Sequence, residues 1–463
     1  MKKIYLGFIL LFTACNFEEV NRDPVNTVLE DVTSEQILPG LQIDLARTLA
    51  DNVARLSGNM VNQIIYRQGK TSLNEYNYAA ADAINEGTWS DLFVNCMNVS
   101  KILIEKPESN NSHKGIARIL LAVALGTTTS TWGDIPYFNA FRPGVNFSPD
   151  FSDQQELYEE IQNQLDQAIL ELERGDPVEN DMIFSGDLSK WLKTAYALKA
   201  RYYLHLIKVN PESYQSASEA LENAMTSNED NCIFQFIDGK DGEINPLFLE
   251  KGSQNTQVDP EFAELLINYE DPRTRFYTIA RGSIFGGFVA RYGAYYTRKG
   301  SPFPIITYEE CEFMRAEIAL QNNQPEVSEQ HLYNGMEASM QRITSEPVGS
   351  EEDEDLALPS DSAVQANLEA YGNFDGLSEE QRWARLFEQR HIALFLQAEC
   401  WSDYRRSATY TSNEGLPNLE SRTDQPIPRR LMYPANEITR NQSAPSPTEN
   451  PTLYERFWWD VVE

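Results

Sequence analysis

Positive charge is scarce in this chain: its 463 residues hold 38 Lys and Arg against 70 Asp and Glu, a formal net charge of −32. Phosphate backbones and anionic bilayers repel such a surface, and the basic residues are nowhere clustered enough to offset it, so nucleic acid is excluded as a partner. Histidine is scarcer still. His113, His205, His331 and His391 stand apart, with no HExxH or other metal-ligand spacing, so neither a metal nor a cofactor is expected. There is no GxSxG elbow for a nucleophilic serine. Gly69-Lys70-Thr71 imitates the end of a phosphate loop, but Ile64 occupies the earlier position where that loop needs glycine. Asp238-Gly239-Lys240-Asp241-Gly242-Glu243 has the flavour of a calcium loop, yet Lys240 stands at a ligand position and a turn is the better reading. With 70 acidic residues some carboxylate pair is always at hand, so a pair alone does not argue for a glycosidase. Catalytic residues are therefore expected to be none. Cysteine is sparse and never paired as CxxC; Cys96, Cys232, Cys311 and Cys400 read as buried free thiols. Past the N-terminus no segment reaches 18 apolar residues, too little for a membrane-spanning helix.

What is present begins at the N-terminus. Lys2 and Lys3, the apolar run Ile4–Phe12 and the small pair Thr13-Ala14 read as a secretory signal over residues 1–14. Phe12-Thr13-Ala14-Cys15 resembles a bacterial lipobox, with Phe12 where leucine is usual, and makes Cys15 the lipidated first residue of the mature protein. Glu18-Glu19 close behind resembles the surface-export signal of Bacteroidetes lipoproteins. Residues 15–32 are then a lipidated N-terminus and tether, and the lipid is the only expected hold on the membrane, stable when several acyl chains share it.

Residues 33–463 read as a mostly α domain. Over Ser152–Arg174 the positions Leu157, Ile161, Leu165, Ala168 and Leu172 recur at helical spacing, with Ser152 and Gln155 as a capping box and Gly175 and Pro177 as the stop. Leu188–Ile207 and Tyr214–Met225 make a helical pair of tetratricopeptide size, and Tyr308–Leu320 with Val327–Ile343 make another. Arg382–Trp401 reads as one further helix. Two stretches, near 228–246 and 271–304, break the pattern as irregular segments or short strands rich in Gly, Tyr and Phe. The acidic run Glu351–Asp355 is a solvated loop.

Several motifs together resemble the SusD/RagB family of nutrient-binding outer-membrane lipoproteins: Trp132-Gly133-Asp134-Ile135-Pro136-Tyr137, the Trp191–Tyr203 helix, Pro304–Ala319, Trp401–Arg406, and Pro426–Pro434 followed by Glu437 and Asn441. The resemblance implies a tetratricopeptide-like scaffold with an irregular, loop-rich ligand-binding lobe. It also implies a cell-surface, outer-membrane lipoprotein that captures oligosaccharides or oligopeptides for a SusC-like TonB-dependent transporter. A surface glycan-degrading enzyme and a tetratricopeptide scaffold binding only proteins are the alternatives. Arg405, Arg406, Arg429 and Arg430 read as fold-holding donors to carboxylates and helix-end carbonyls, and Trp132, Trp383 and Trp401 as core.

Sugar recognition needs flat aromatic faces and fixed hydrogen-bonding groups. Outside the helices two clusters supply them: Tyr66, Arg67, Asn74, Tyr76 and Tyr78, and Arg291, Tyr292, Tyr295, Tyr296 and Arg298. Tyr76 and Tyr78 alternate as on a strand, which would bury one face.

Overall fold

A computed structural model describes residues 32–67, 70–142, 144–238, 244–253, 255–282, 288–293, 295–344, 358–407 and 419–461. The signal segment, Cys15, Glu18-Glu19, Glu351–Asp355 and most of the Asp238–Glu243 loop lie outside the described residues. Among those described, no helix is long and apolar enough to cross a membrane.

The first two helical rods each contain a π segment. α1 (Ser34–Thr48) runs through Leu49–Val53 into α2 (Ala54–Met60), and α3 (Ala83–Ser90) runs through Asp91–Asn98 into α4 (Val99–Glu105). Between the rods lies the short strand β1 (Ile64–Tyr66). α5 (Asn111–Trp132) is the central helix, buried on every side after Arg118, as an all-round apolar helix should be. Its threonines turn inward onto their own backbone, Thr128 to Ala124 O at 2.7 Å and Thr131 to Thr127 O at 2.7 Å, so their hydroxyls carry partners into the core. Gly126 lets α5 approach its neighbour, since a Cβ there would overlap the Tyr202 ring.

The turn after α5 pairs β2 (Ile135–Pro136) with β3 (Phe151–Ser152) and starts α6 (Gln154–Leu172). The expected Ser152 capping box is not what starts it. Asp134 reaches across from the preceding turn and accepts from Gln154 N at 2.8 Å, while Ser152 Oγ accepts from Phe138 N at 3.4 Å. α7 (Leu188–His205) and α8 (Ser213–Leu221) follow as the expected antiparallel pair.

The two irregular stretches then fold as short strands among short helices. β4 (Cys232–Gln235) carries the alternation of Cys232 and Phe234 into the core. After it come α9 (Pro246–Ser253), β5 (Thr256–Val258), α10 (Pro260–Asn268), α11 (Thr274–Tyr277), the hairpin β6 (Thr278–Gly282) and β7 (Phe288–Tyr292), and β8 (Pro302–Ile306). All pairing is antiparallel and two-stranded: β1 with β5, β4 with β8, β6 with β7.

The second helical pair is α12 (Tyr308–Gln321) against α13 (Pro325–Thr344), followed by α14 (Asp361–Tyr371). The stretch read as one helix over Arg382–Trp401 is two: α15 (Glu379–Ala393) and α16 (Glu399–Ser407). The break falls where Leu396 takes a left-handed φ of 64° and the Gln63 side chain caps its freed N–H at 2.8 Å. α17 (Ala435–Arg440) lies near the C-terminus.

Acids of the Pro304–Ala319 motif, Glu309, Glu310 and Glu317, are interior. Arg201 on α7 grips Glu310 with two bonds of 2.7 Å, Arg342 donates to Glu309 at 2.7 Å, and Arg406 joins Glu317 and Asp403. These ion pairs compensate charges that would be costly to bury alone. Arg405 donates to the Arg429 carbonyl at 3.0 Å and to Ser130 O, Arg430 reaches Trp132 O, and Arg429 pairs with Asp460 at 3.2 Å. The signature arginines are fold-holding donors, as expected, and Arg405 and Arg430 tie the C-terminal segment to the end of α5. Trp132, Trp383 and Trp401 are core residues, and the four cysteines are buried free thiols.

Candidate ligand-binding surface

Thr256 joins the two aromatic clusters, which lie far apart in sequence. It pairs with Tyr66 across β1 and β5, and its hydroxyl accepts from the Tyr292 hydroxyl at 2.9 Å. The same threonine donates to Glu250 at 3.0 Å, and Glu250 holds Arg55 at 2.6 Å. A polar node therefore underlies the lobe, with Arg67 just past Tyr66 and Arg291 just before Tyr292.

The rings themselves correct the expectation. Tyr66, Tyr76, Tyr78, Tyr292, Tyr295 and Tyr296 are all buried, so none presents a stacking face to solvent. Burial raises the pKa of the Tyr66, Tyr78, Tyr292 and Tyr296 phenols, keeping them neutral donors. The hydroxyls explain how tyrosine can be interior here: Tyr78 donates to Asn59 at 2.9 Å, Tyr296 to Phe395 O at 3.3 Å, and Tyr295 accepts from Arg342 at 3.1 Å. Tyr76 lies on no strand. It ends the short 3₁₀ turn Thr71–Glu75 in a left-handed conformation, φ 58°, that tucks its ring inward.

Asn74 is also committed to the fold. Its side chain brackets Tyr66, accepting from the backbone N–H at 2.7 Å and donating to the carbonyl at 2.8 Å, and it accepts a third bond from Asn59 at 3.0 Å. Four of the named residues keep access to solvent: Arg291 is exposed, while Arg67, Asn74 and Arg298 are half-buried. Arg67 donates to Gln257 at 3.1 Å.

Two enclosed spaces among the described residues do not compete with this surface. A cavity of about 40 Å³ between α5, α7 and α16, lined by Arg201, His205, Gln397 and Glu399, has room for a water or two but not a sugar. A groove of about 250 Å³ between α8, α12 and α13 falls below the usual size of a ligand pocket. The histidines are structurally occupied. His205 bridges Tyr158 at 2.7 Å and Glu399 at 2.9 Å, His331 holds Glu312 at 2.8 Å, His113 meets Asn110 at 2.9 Å, and His391 is buried. Burial would raise the Glu399 pKa, but His205, Arg201 and Arg390 outweigh it and hold the carboxyl ionised.

Sequence reading missed the exposed rings. Phe138 is 46% and Phe147 81% accessible, both after β2 and outside the lobe. The available signal was a Tyr-Phe-rich stretch between Pro136 and Pro149 that follows neither a helical nor a strand period.

Over residues 26–434 the chain matches the SusD-like family, described as starch-binding and associating with the outer membrane. Solved structures share the fold. One is a SusD/RagB family protein from Bacteroides thetaiotaomicron, TM-score 0.76 and 20% identical, with 93% of this chain and 99% of that one covered. Another is a chitin-binding SusD homolog from Flavobacterium johnsoniae, TM-score 0.72 and 19% identical, covering 92% of this chain and 98% of its own. A third is described as a chitin-binding protein, TM-score 0.75 and 20% identical, with 93% and 100% covered. No curated protein sequence matches the chain.

Proposed function

Because the chain belongs to the SusD-like family, we propose that it is a surface-exposed outer-membrane lipoprotein that captures a glycan and passes it, uncleaved, to a SusC-like TonB-dependent transporter. The family match over nearly the whole chain carries this reading. Chitin binding by two proteins of the same fold favours a glycan over an oligopeptide. The lipid on Cys15 would hold the protein at the membrane, with residues 16–32 as tether.

Contact with the glycan is assigned to the lobe surface around Arg67, Arg291 and Arg298. Guanidinium forks there are rigid, always charged, and able to replace water at sugar hydroxyls. The buried node of Glu250, Thr256 and Tyr292 holds β5 and β7 at a fixed spacing beneath them, which limits the ordering cost of binding. A shallow surface suits transport, since capture must be followed by release. The family match also supports reading the protein as a binder rather than an enzyme.

Calorimetric titration of the full-length protein in detergent with malto- and chito-oligosaccharides tests this. Binding that weakens in Arg67→Ala and Arg291→Ala is the expected result. Release of the Cys15→Ala variant from the membrane fraction is expected as well. Retention of that variant in washed membranes contradicts the anchor.

A further inference from the structure

An aromatic ladder runs from the core to the surface along α3, the following π segment and the turn after β2. Trp89 stacks on Phe93 at 4.5 Å, Phe93 on Phe141 at 6.0 Å, and Phe141 meets Tyr137 edge-on at 6.0 Å, next to Phe138 at 5.3 Å. Its inner end is packed against Trp132. Its outer end is open, because Phe138 is exposed and Phe93 and Phe141 are half-buried, and the same turn carries the exposed Val145 and Phe147.

One amine sits on this ladder. Lys101 Nζ lies 4.6 Å from the Tyr137 ring centroid and 5.5 Å from that of Phe141. Two acids lie near it without pairing. Glu160 accepts from Gln164 at 2.6 Å, Asn163 at 3.0 Å and the Tyr137 hydroxyl at 3.4 Å, and among the described residues neither it nor Glu105, one turn on, comes within ion-pair distance of the amine. Arg142, exposed beside it, likewise has no carboxylate partner among the described residues. Burial lowers the Lys101 pKa, and Arg118 and Arg142 lower it further, against the pull of Glu160 and Glu105. In a protein of net charge −32, two cations without ion pairs at the lip of an exposed aromatic step form a local exception.

We propose that Lys101, Arg142 and the rings of Phe138 and Phe147 form a second glycan contact, outside the lobe, that takes an anionic sugar. The charge complementarity is specific. A carboxylate or sulfate group would meet the ammonium and guanidinium, while the apolar face of the same sugar packs on a ring that is already exposed. A merely snorkelling lysine would cover the rings, but it would leave the exposed Phe147 and Arg142 without a role. The inference rests on the glycan-binding reading of the protein.

The full-length protein in detergent is titrated with oligogalacturonate and, in parallel, with maltoheptaose and chitohexaose. Lys101→Met and Arg142→Ala are each expected to weaken oligogalacturonate binding about tenfold, the loss of one charge-assisted contact, and to leave the neutral glycans unchanged. Phe147→Ala, at an exposed position that cannot unfold the protein, is expected to weaken the acidic glycan as well. The inference is overturned if oligogalacturonate does not bind, or binds the three variants as tightly as the wild type, while neutral glycans still bind. Failure of every glycan to bind overturns the general reading along with it.

Discussion

The tyrosines of the lobe and the phenylalanines after β2 are equally dense in the sequence, yet Tyr66, Tyr292 and Tyr296 are buried whereas Phe138 and Phe147 stand in water. The difference lies in the tertiary partners, since Phe262, Phe276 and Phe395 are buried beside these tyrosines. A tyrosine can enter a loop-rich core by giving its hydroxyl to a carbonyl or a threonine, as Tyr296 and Tyr292 do, and its burial then stabilises segments too short to form a core of their own. A phenylalanine on a surface turn adds little to the fold, and where several stand together they mark a candidate contact surface. Ring density alone does not locate a ligand site.

The contrast can be broken most sharply on the buried side. Tyr296→Ala should destabilise the fold by about 3–5 kcal/mol, as for large aromatic truncations in cores, read by chemical denaturation. A loss below about 1 kcal/mol would mean the ring is not core and would reopen it as a ligand contact. The interior charges should behave as the interior rings do. Arg201→Met leaves Glu310 buried without its bidentate partner and should cost about 3–5 kcal/mol.

Acid should find the same interior. Burial lowers the His391 pKa from the usual 6.5 to about 4, so as pH falls the unfolded chain takes up a proton before the folded one does. Stability is therefore full above pH 6.5 and declines between 6.5 and 4, by about 3 kcal/mol from this residue alone. Removing the imidazole in His391→Gln should flatten that part of the pH profile; an unchanged slope would assign the acid sensitivity to other groups. The smallest effect belongs to the exposed side. Phe147→Ala should change stability by no more than about 0.5 kcal/mol, and a larger loss would place the ring in the fold after all.

Much of this architecture was legible in the chain, and the misses share a cause. Helical spacing located α6, α7, α12 and α13 to within a few residues, because amphipathic periodicity is local. The start of α6 was misplaced because its cap, Asp134, comes from across a turn. The break at Leu396 was missed because the side chain that permits it, Gln63, is more than 300 residues away. The candidate site was half legible. Composition picked out two clusters that do meet at Thr256, but burial depends on tertiary partners such as Phe395 and Asn59, which no local pattern reveals. Family resemblance identified the signature arginines and tryptophans, and only packing shows that they anchor the C-terminal segment to the end of α5.

The central claim, capture without cleavage, is tested most directly by incubating the purified full-length protein with labelled malto- and chito-oligosaccharides, then separating bound from free material and measuring oligomer length in each. The account predicts retained oligosaccharide of unchanged length, with retention reduced in Arg67→Ala and Arg291→Ala. Shortened oligosaccharide, or none retained at saturating concentration, would contradict it.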